Sequence, residues 1–117
     1  MTPPAGPPLQ IVLVGYQAMT ALDLVGPQMF LASLLGVEVR LVARDRAPLV
    51  TDTGLVLVPD ASFADVPDRV DVLFVPGGAE GTLAAMRDPE TVAFVAARGA
   101  SATWITSVCT GALVLGQ

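Results

Sequence analysis

Residues 102–117 read ATWITSVCTGALVLGQ and contain the only cysteine of the chain, Cys109. Residues 102–108 are rich in β-branched and aromatic side chains, which favour a buried strand. Residues 112–115 are good helix formers. The pattern therefore predicts that Cys109 lies where a strand changes into a helix.

Small residues surround this cysteine at Ser107, Gly111 and Ala112. A nucleophile elbow needs small neighbours, because its sharp turn brings two backbones close together and lifts the reactive side chain clear of the sheet. We therefore interpret Cys109 as a candidate nucleophile. The alternative is a buried cysteine that packs as a small hydrophobic residue.

The composition limits the classes of function. The chain has 117 residues, 53% hydrophobic and 15% charged, as expected for one soluble α/β domain. A net charge of −5 argues against binding to nucleic acid or an anionic membrane. With one cysteine, no signal-peptide pattern and no long apolar span, we expect a cytoplasmic protein. The absence of histidine excludes a Cys–His pair and a histidine metal site, and we expect no metal.

Apolar runs and turn residues predict the strands. Residues 1–8 hold four prolines and no charge, which indicates a disordered tail before a single α/β domain over residues 9–117. The strands are predicted at 9–14, 37–43, 71–75 and 102–108, with a hairpin attached to the sheet over 49–59. For residues 61–71 we expect a loop or a short helix.

Helical patterns occupy the segments between these strands. The predicted helices cover residues 20–36, 79–86 and 89–98. In the first, the expected core stripe is Leu22, Val25, Met29 and Ala32 or Ser33, and Pro27 is expected to loosen or kink the helix. We also expect Trp104 in the core. Strands alternating with helices predict a doubly wound, mainly parallel sheet flanked by helices, a flavodoxin-like sandwich of five or six strands.

Three loops leave the carboxyl ends of predicted strands, where such sheets bind ligands. They bring together Asp23, the glycines Gly77 and Gly78, and Cys109. An acid, free backbone N–H groups and a thiol are the parts that nucleophilic catalysis requires. Asp23 has an alternative role, because Thr20 and Asp23 have the spacing of a capping box at a helix start.

Three motifs resemble the ThiJ/PfpI superfamily, whose fold is that of the class I glutamine amidotransferases. They are LDLVGP at 22–27, VPGG at 75–78 and SVCTGA at 107–112. The resemblance implies that Cys109 is the elbow nucleophile and Asp23 the acid beside it. It also implies an oxyanion pocket made by the backbone amides of Gly78 and Thr110, with Gly77 and Tyr16 as candidate substrate contacts.

Thr110 directly follows the cysteine, whereas protease-like and amidotransferase-like branches of the superfamily usually have histidine in or near the elbow. With aspartate at position 23, the chain looks most like the isocyanide hydratases. These hydro-lyases convert an isonitrile and water into an N-substituted formamide without a cofactor, here through a covalent cysteine thioimidate. Relatives also suggest a homodimer.

Two other functions remain open. The same motifs occur in the ligand-sensing domains of AraC-type transcription regulators, and a stress-response thiol protein is a third interpretation. Members of the superfamily continue beyond the helix that follows the elbow. We therefore expect residues 9–117 to be the N-terminal portion of a larger domain whose C-terminal part is absent from this chain.

Overall fold

The computed structural model describes residues 6–117, so the first five residues of the predicted tail lie outside the described range. The strands are β1 (Leu9–Val14), β2 (Val37–Ala43), β3 (Leu49–Val50), β4 (Val56–Leu57), β5 (Ala61–Ser62), β6 (Val72–Val75) and β7 (Trp104–Ser107). The helices are α1 (Ala21–Ala32), α2 (Glu80–Met86), α3 (Pro89–Gly99) and α4 (Gly111–Leu115), with a 3₁₀ turn at Phe63–Asp65.

The main sheet has five parallel strands in the order β5-β2-β1-β6-β7. The central strand β1 pairs with β2 on one side and β6 on the other, and its last four residues are fully buried. This double pairing explains why β1 is an almost continuous apolar run. The chain winds from β1 outward to β5 and then returns to β6, so the direction of winding reverses between β1 and β6.

The segment between β2 and β6 differs from the prediction in two ways. The hairpin β3-β4 forms with Leu49 opposite Leu57, but it is a separate two-stranded sheet and is not part of the main one. The short strand β5 lies where a loop or helix was expected, and it pairs with the end of β2 through Val42 and Ala61. Two residues are too few to leave a periodic signal in sequence, so only pairing with β2 defines this strand.

The expected core stripe of α1 is wrong. Leu22 and Met29 are each 76% exposed, and Val25 is 42% exposed, whereas Leu24 is the buried residue of this helix. Apolar residues occupy both faces of α1, so the period alone did not identify the inner face. The helix also continues through Pro27 to Ala32.

The other three helices pack together. α2, α3 and α4 contact one another, and α3 and α4 also contact β6. Phe94 of α3 stacks on Phe63 with ring centroids 4.1 Å apart.

Trp104 is 66% exposed on the edge strand β7, so the prediction that it lies in the core is wrong. Among residues 6–117, no helix is long and apolar enough to cross a bilayer.

Candidate active site

Cys109 is the middle residue of the three-residue connection, residues 108–110, between the end of β7 and the start of α4. Its φ angle is +51°, a left-handed conformation that costs a non-glycine residue energy. The thiol is free and exposed to solvent. Backbone bonds hold the turn, because Val108 N–H donates to Val75 O at 3.2 Å and Gly111 N–H donates to Val108 O at 3.0 Å.

Gly111 is required by the packing of this turn against β6. A Cβ atom at position 111 would collide with the carbonyl oxygen of Val75 and would lie 2.8 Å from that of Pro76. Only glycine therefore allows α4 to begin so close to the end of β6. This close approach explains the small residue that follows Cys109 and Thr110 in the sequence.

The loop after β6 brings the candidate groups to one point. A Cβ atom built on Gly77 would lie 2.7 Å from Cys109 Cβ, 2.9 Å from Asp23 Oδ2 and 2.9 Å from the backbone nitrogen of Thr110. The thiol-bearing residue, a carboxylate oxygen and a backbone amide thus surround the space left by one missing side chain. Gly77 keeps that space open.

Asp23 is in the first turn of α1, and the start of this helix is tied to the loop after β6. Thr20 N–H donates to Gly77 O at 2.8 Å, and Asp23 N–H donates to Thr20 O at 3.1 Å. The Asp23 Oδ2 atom is buried and has no hydrogen-bond partner in the described part of the chain. A buried carboxylate oxygen without a hydrogen-bond partner costs folding free energy.

The capping-box alternative for Asp23 has no support in the geometry. Thr20 is the N-cap residue of α1, but its side chain makes no capping hydrogen bond. The Asp52 carboxylate accepts a long hydrogen bond from Ala21 N–H at 3.4 Å. The start of α1 is therefore capped from the β3-β4 hairpin, and Asp23 is left free to face Cys109.

Thr110 and Gly78 are joined through a side chain. Gly78 N–H donates to Thr110 Oγ1 at 3.0 Å, so this amide proton is already engaged. The backbone N–H of Thr110 has no acceptor among residues 6–117. Of the two amides predicted for an oxyanion pocket, only that of Thr110 is available in this arrangement.

Tyr16 is buried behind the loop after β6 and is not an open substrate contact. Its hydroxyl donates to Pro76 O at 2.5 Å and lies 3.1 Å from Thr82 Oγ1. Burial raises the pKa of Tyr16 above its ordinary value of 10.0, and the nearby charges of Asp23 and Cys109 raise it further, while the Thr82 hydrogen bond lowers it. The pKa of Tyr16 therefore depends on the charges of Asp23 and Cys109.

The profile of the DJ-1/PfpI family matches residues 10–117. The chain belongs to this family. It is 46% identical over 108 residues to a Pseudomonas putida protein named isonitrile hydratase, a match that covers 92% of this chain and 46% of that protein. The chain therefore spans about half the length of the curated relative that it matches.

Solved structures of the family agree with the fold. A ThiJ/PfpI family protein from Pseudomonas syringae has a TM-score of 0.91 and 46% identity, covering 99% of this chain and 52% of that one. Drosophila melanogaster DJ-1beta has a TM-score of 0.76 at 18% identity, covering 93% of this chain and 59% of that one. The second likeness concerns the fold alone.

The structure brings together Cys109, Asp23, Gly77 and the Thr110 backbone amide, four of the groups named in the sequence analysis. Sequence reasoning missed Thr82, whose side chain is fully buried and whose Oγ1 lies 2.8 Å from Thr110 Oγ1. Its contact depends on two segments 28 residues apart, and a lone threonine in a helix gives no signal of it. The capping residue Asp52 was missed for the same reason.

Proposed function

We propose that this protein is an isonitrile hydratase, a cysteine-dependent hydro-lyase that converts an isonitrile and water into an N-substituted formamide. The observation that carries the proposal is the convergence of Cys109, Asp23 Oδ2 and the Thr110 amide around Gly77. The 46% identity to the Pseudomonas putida isonitrile hydratase supports the choice of substrate.

In the first half of the proposed reaction the Cys109 thiolate attacks the terminal carbon of the isonitrile. A bond forms between sulfur and carbon, and the Asp23 carboxylic acid gives its proton to the same carbon. The product is a covalent thioimidate, in which the carbon carries one hydrogen, the sulfur and a double bond to nitrogen. Cys109 is suited to this attack because its thiol is exposed at the turn.

In the second half water adds to the thioimidate carbon. The Asp23 carboxylate takes a proton from the water and passes it to the nitrogen, which leaves a tetrahedral intermediate with one hydroxyl. The carbon–sulfur bond then breaks, the hydroxyl proton returns to Asp23, and the formamide leaves with the thiolate regenerated. Such a change of role between acid and base is ordinary in general acid–base catalysis.

The Thr110 N–H is proposed as the donor for the charge that develops beside Cys109. It lacks an acceptor within the described residues and lies at the point where Cys109 and Asp23 meet. Gly78 contributes through its hydrogen bond to Thr110 Oγ1, which holds the two loops together. The hydration involves no net oxidation or reduction, so the mechanism requires no redox cofactor.

The test is incubation of the purified protein with a simple alkyl isonitrile and chromatographic detection of the N-alkyl formamide. We expect formamide to accumulate in proportion to protein concentration. Absence of product with several alkyl and aryl isonitriles, on protein that is folded and has a reactive thiol, would overturn the proposal. Saturable isonitrile binding without turnover would instead favour the ligand-sensing interpretation.

We further propose a homodimer in a reducing compartment, the cytoplasm. The apolar outer face of α1, with Leu22, Met29 and Phe30 exposed, supports the dimer, because large apolar side chains grouped on one surface typically mark an interface. The free exposed thiol of Cys109 supports the compartment. Sedimentation equilibrium of wild type and Met29→Glu tests the dimer, and a monomeric wild type would contradict it.

A further inference from the structure

Three hydroxyl groups form a chain behind the candidate active site. Thr110 Oγ1 lies 2.8 Å from Thr82 Oγ1, which lies 3.1 Å from the Tyr16 hydroxyl, which lies 2.5 Å from Pro76 O. At the other end, Gly78 N–H donates to Thr110 Oγ1. We call Thr110, Thr82 and Tyr16 the hydroxyl chain.

The terminal acceptor fixes the direction of every hydrogen bond in the chain. A carbonyl oxygen only accepts, so the single hydroxyl proton of Tyr16 goes to Pro76 O. Thr82 must then donate to Tyr16, and Thr110 must donate to Thr82. The hydroxyl proton of Thr110 is therefore committed away from Cys109.

Both ends of the hydroxyl chain are on the loop after β6. Pro76 accepts at one end, Gly78 donates at the other, and Gly77 between them borders Cys109 and Asp23. The hydroxyl chain and the backbone of residues 76–78 thus form a closed ring, and the candidate site lies beside residues 76–78. Thr82 is the central member, and its side chain is fully buried.

We propose that Thr82 is a positioning residue that acts through Thr110, holding the loop after β6 in place and directing the Thr110 hydroxyl proton away from the thiolate. This inference rests on the proposed function for its kinetic consequence. Proton transfer at Cys109 then falls to Asp23. A valine at position 82 has nearly the same shape but accepts no hydrogen bond, so it would release the Thr110 proton toward Cys109 or Asp23.

The test compares Thr82→Val with Thr82→Ser, which keeps the hydroxyl. We expect Thr82→Val to lower kcat by about tenfold to a hundredfold, the scale of a misplaced catalytic group, and Thr82→Ser to retain most of it. Thr91→Val is the matched control, since Thr91 is also buried and donates a hydrogen bond to Asp88, at 2.6 Å, away from the site. It should lower the melting temperature and leave kcat unchanged.

The ionisation of Tyr16 distinguishes a positioning role of Thr82 from a contribution to stability alone. It is the only tyrosine of the chain, so tyrosinate absorbance reports its ionisation directly. Thr82→Val removes the hydrogen bond that lowers the pKa of Tyr16, so its transition should move to higher pH. Thr82→Ser and Thr91→Val should not move it.

A third readout needs no isonitrile. On the plateau of the pH profile for iodoacetamide labelling, where the thiolate is fully formed, Cys109 should react more slowly in Thr82→Val. The released Thr110 hydroxyl would donate to the thiolate and reduce its nucleophilicity.

The outcomes separate this inference from the proposed function. If wild type makes no formamide, the hydratase proposal fails, while the Tyr16 and labelling measurements still decide the role of Thr82. The inference is overturned if Thr82→Val keeps at least half of the wild-type kcat, or if neither Tyr16 nor Cys109 responds to it. Should Thr82→Val fail to fold, Tyr16→Phe removes the donor to Pro76 and should reduce kcat in the same way; unchanged kcat would then overturn the inference.

Discussion

A methyl group at Gly77 should disable the site with a modest effect on the fold. The new Cβ atom in Gly77→Ala would lie 2.7 Å from Cys109 Cβ, whereas non-bonded carbons pack best at about 3.5 to 4.0 Å. It would also lie 2.9 Å from Asp23 Oδ2 and 2.9 Å from Thr110 N. The neighbours must therefore move apart by roughly 1 Å, a displacement that costs about 100-fold in rate when it separates reacting groups.

The stability of Gly77→Ala should fall by about 1 to 3 kcal/mol, as for other insertions into packed regions. Gly26→Ala is the matched control: it is in α1 near Asp23, and its nearest neighbour would be Leu22 Cδ1 at 4.0 Å. Turnover of Gly26→Ala should equal that of wild type. The assay is formamide production per folded protein, with melting followed by circular dichroism. Turnover of Gly77→Ala within twofold of wild type would refute the proposal that the reaction takes place in the space beside Gly77.

Two further predictions concern single carboxylates. Asp23→Asn should lower turnover by about 10²- to 10⁴-fold, because the amide cannot deliver a proton, and should leave the melting temperature within a few degrees of wild type, because the amide keeps the shape of the carboxyl group. Asp52→Asn, which keeps an acceptor for Ala21 N–H, is its control in both assays. If Asp23→Asn melts at a lower temperature but keeps its activity, Asp23 contributes to stability and not to catalysis. For Asp88, burial raises the pKa, but the Thr91 hydrogen bond and Arg44 outweigh it and hold the pKa below its ordinary value of 3.8. The ionised Asp88 carboxylate therefore stabilises the fold above pH 3.8, and this stabilisation is lost as the pH falls through the lowered pKa. In acid, the melting temperature should fall less steeply with pH for Asp88→Asn than for wild type. Equal slopes for the two proteins would contradict this.

The elements that could be predicted from sequence are those defined by their own residues. β1 and β2 have the predicted bounds, because a continuous apolar run and an alternating run are each local patterns. β5 exists only through its pairing with β2, and the inner face of α1 is set by what packs against it. Neither the strand β5 nor the inner face of α1 leaves a local pattern in the sequence.

The site divides in the same way. Asp23, Gly77 and Cys109 were predicted because each follows a strand, and the carboxyl ends of parallel strands share one edge. Thr82 was not, because its hydrogen bond with Tyr16 joins residues that are 66 positions apart in sequence. The engagement of the Gly78 amide by Thr110 Oγ1 likewise depends on a side-chain orientation that no motif specifies.

Formamide production by wild type and Cys109→Ala, measured side by side, tests most directly whether Cys109 attacks the isonitrile carbon. Cys109 is exposed, so its replacement by alanine should leave the fold intact, which melting by circular dichroism checks. We predict that wild type forms formamide and that Cys109→Ala forms none above the rate without protein. Folded Cys109→Ala that retains a tenth or more of the wild-type rate would contradict attack by Cys109.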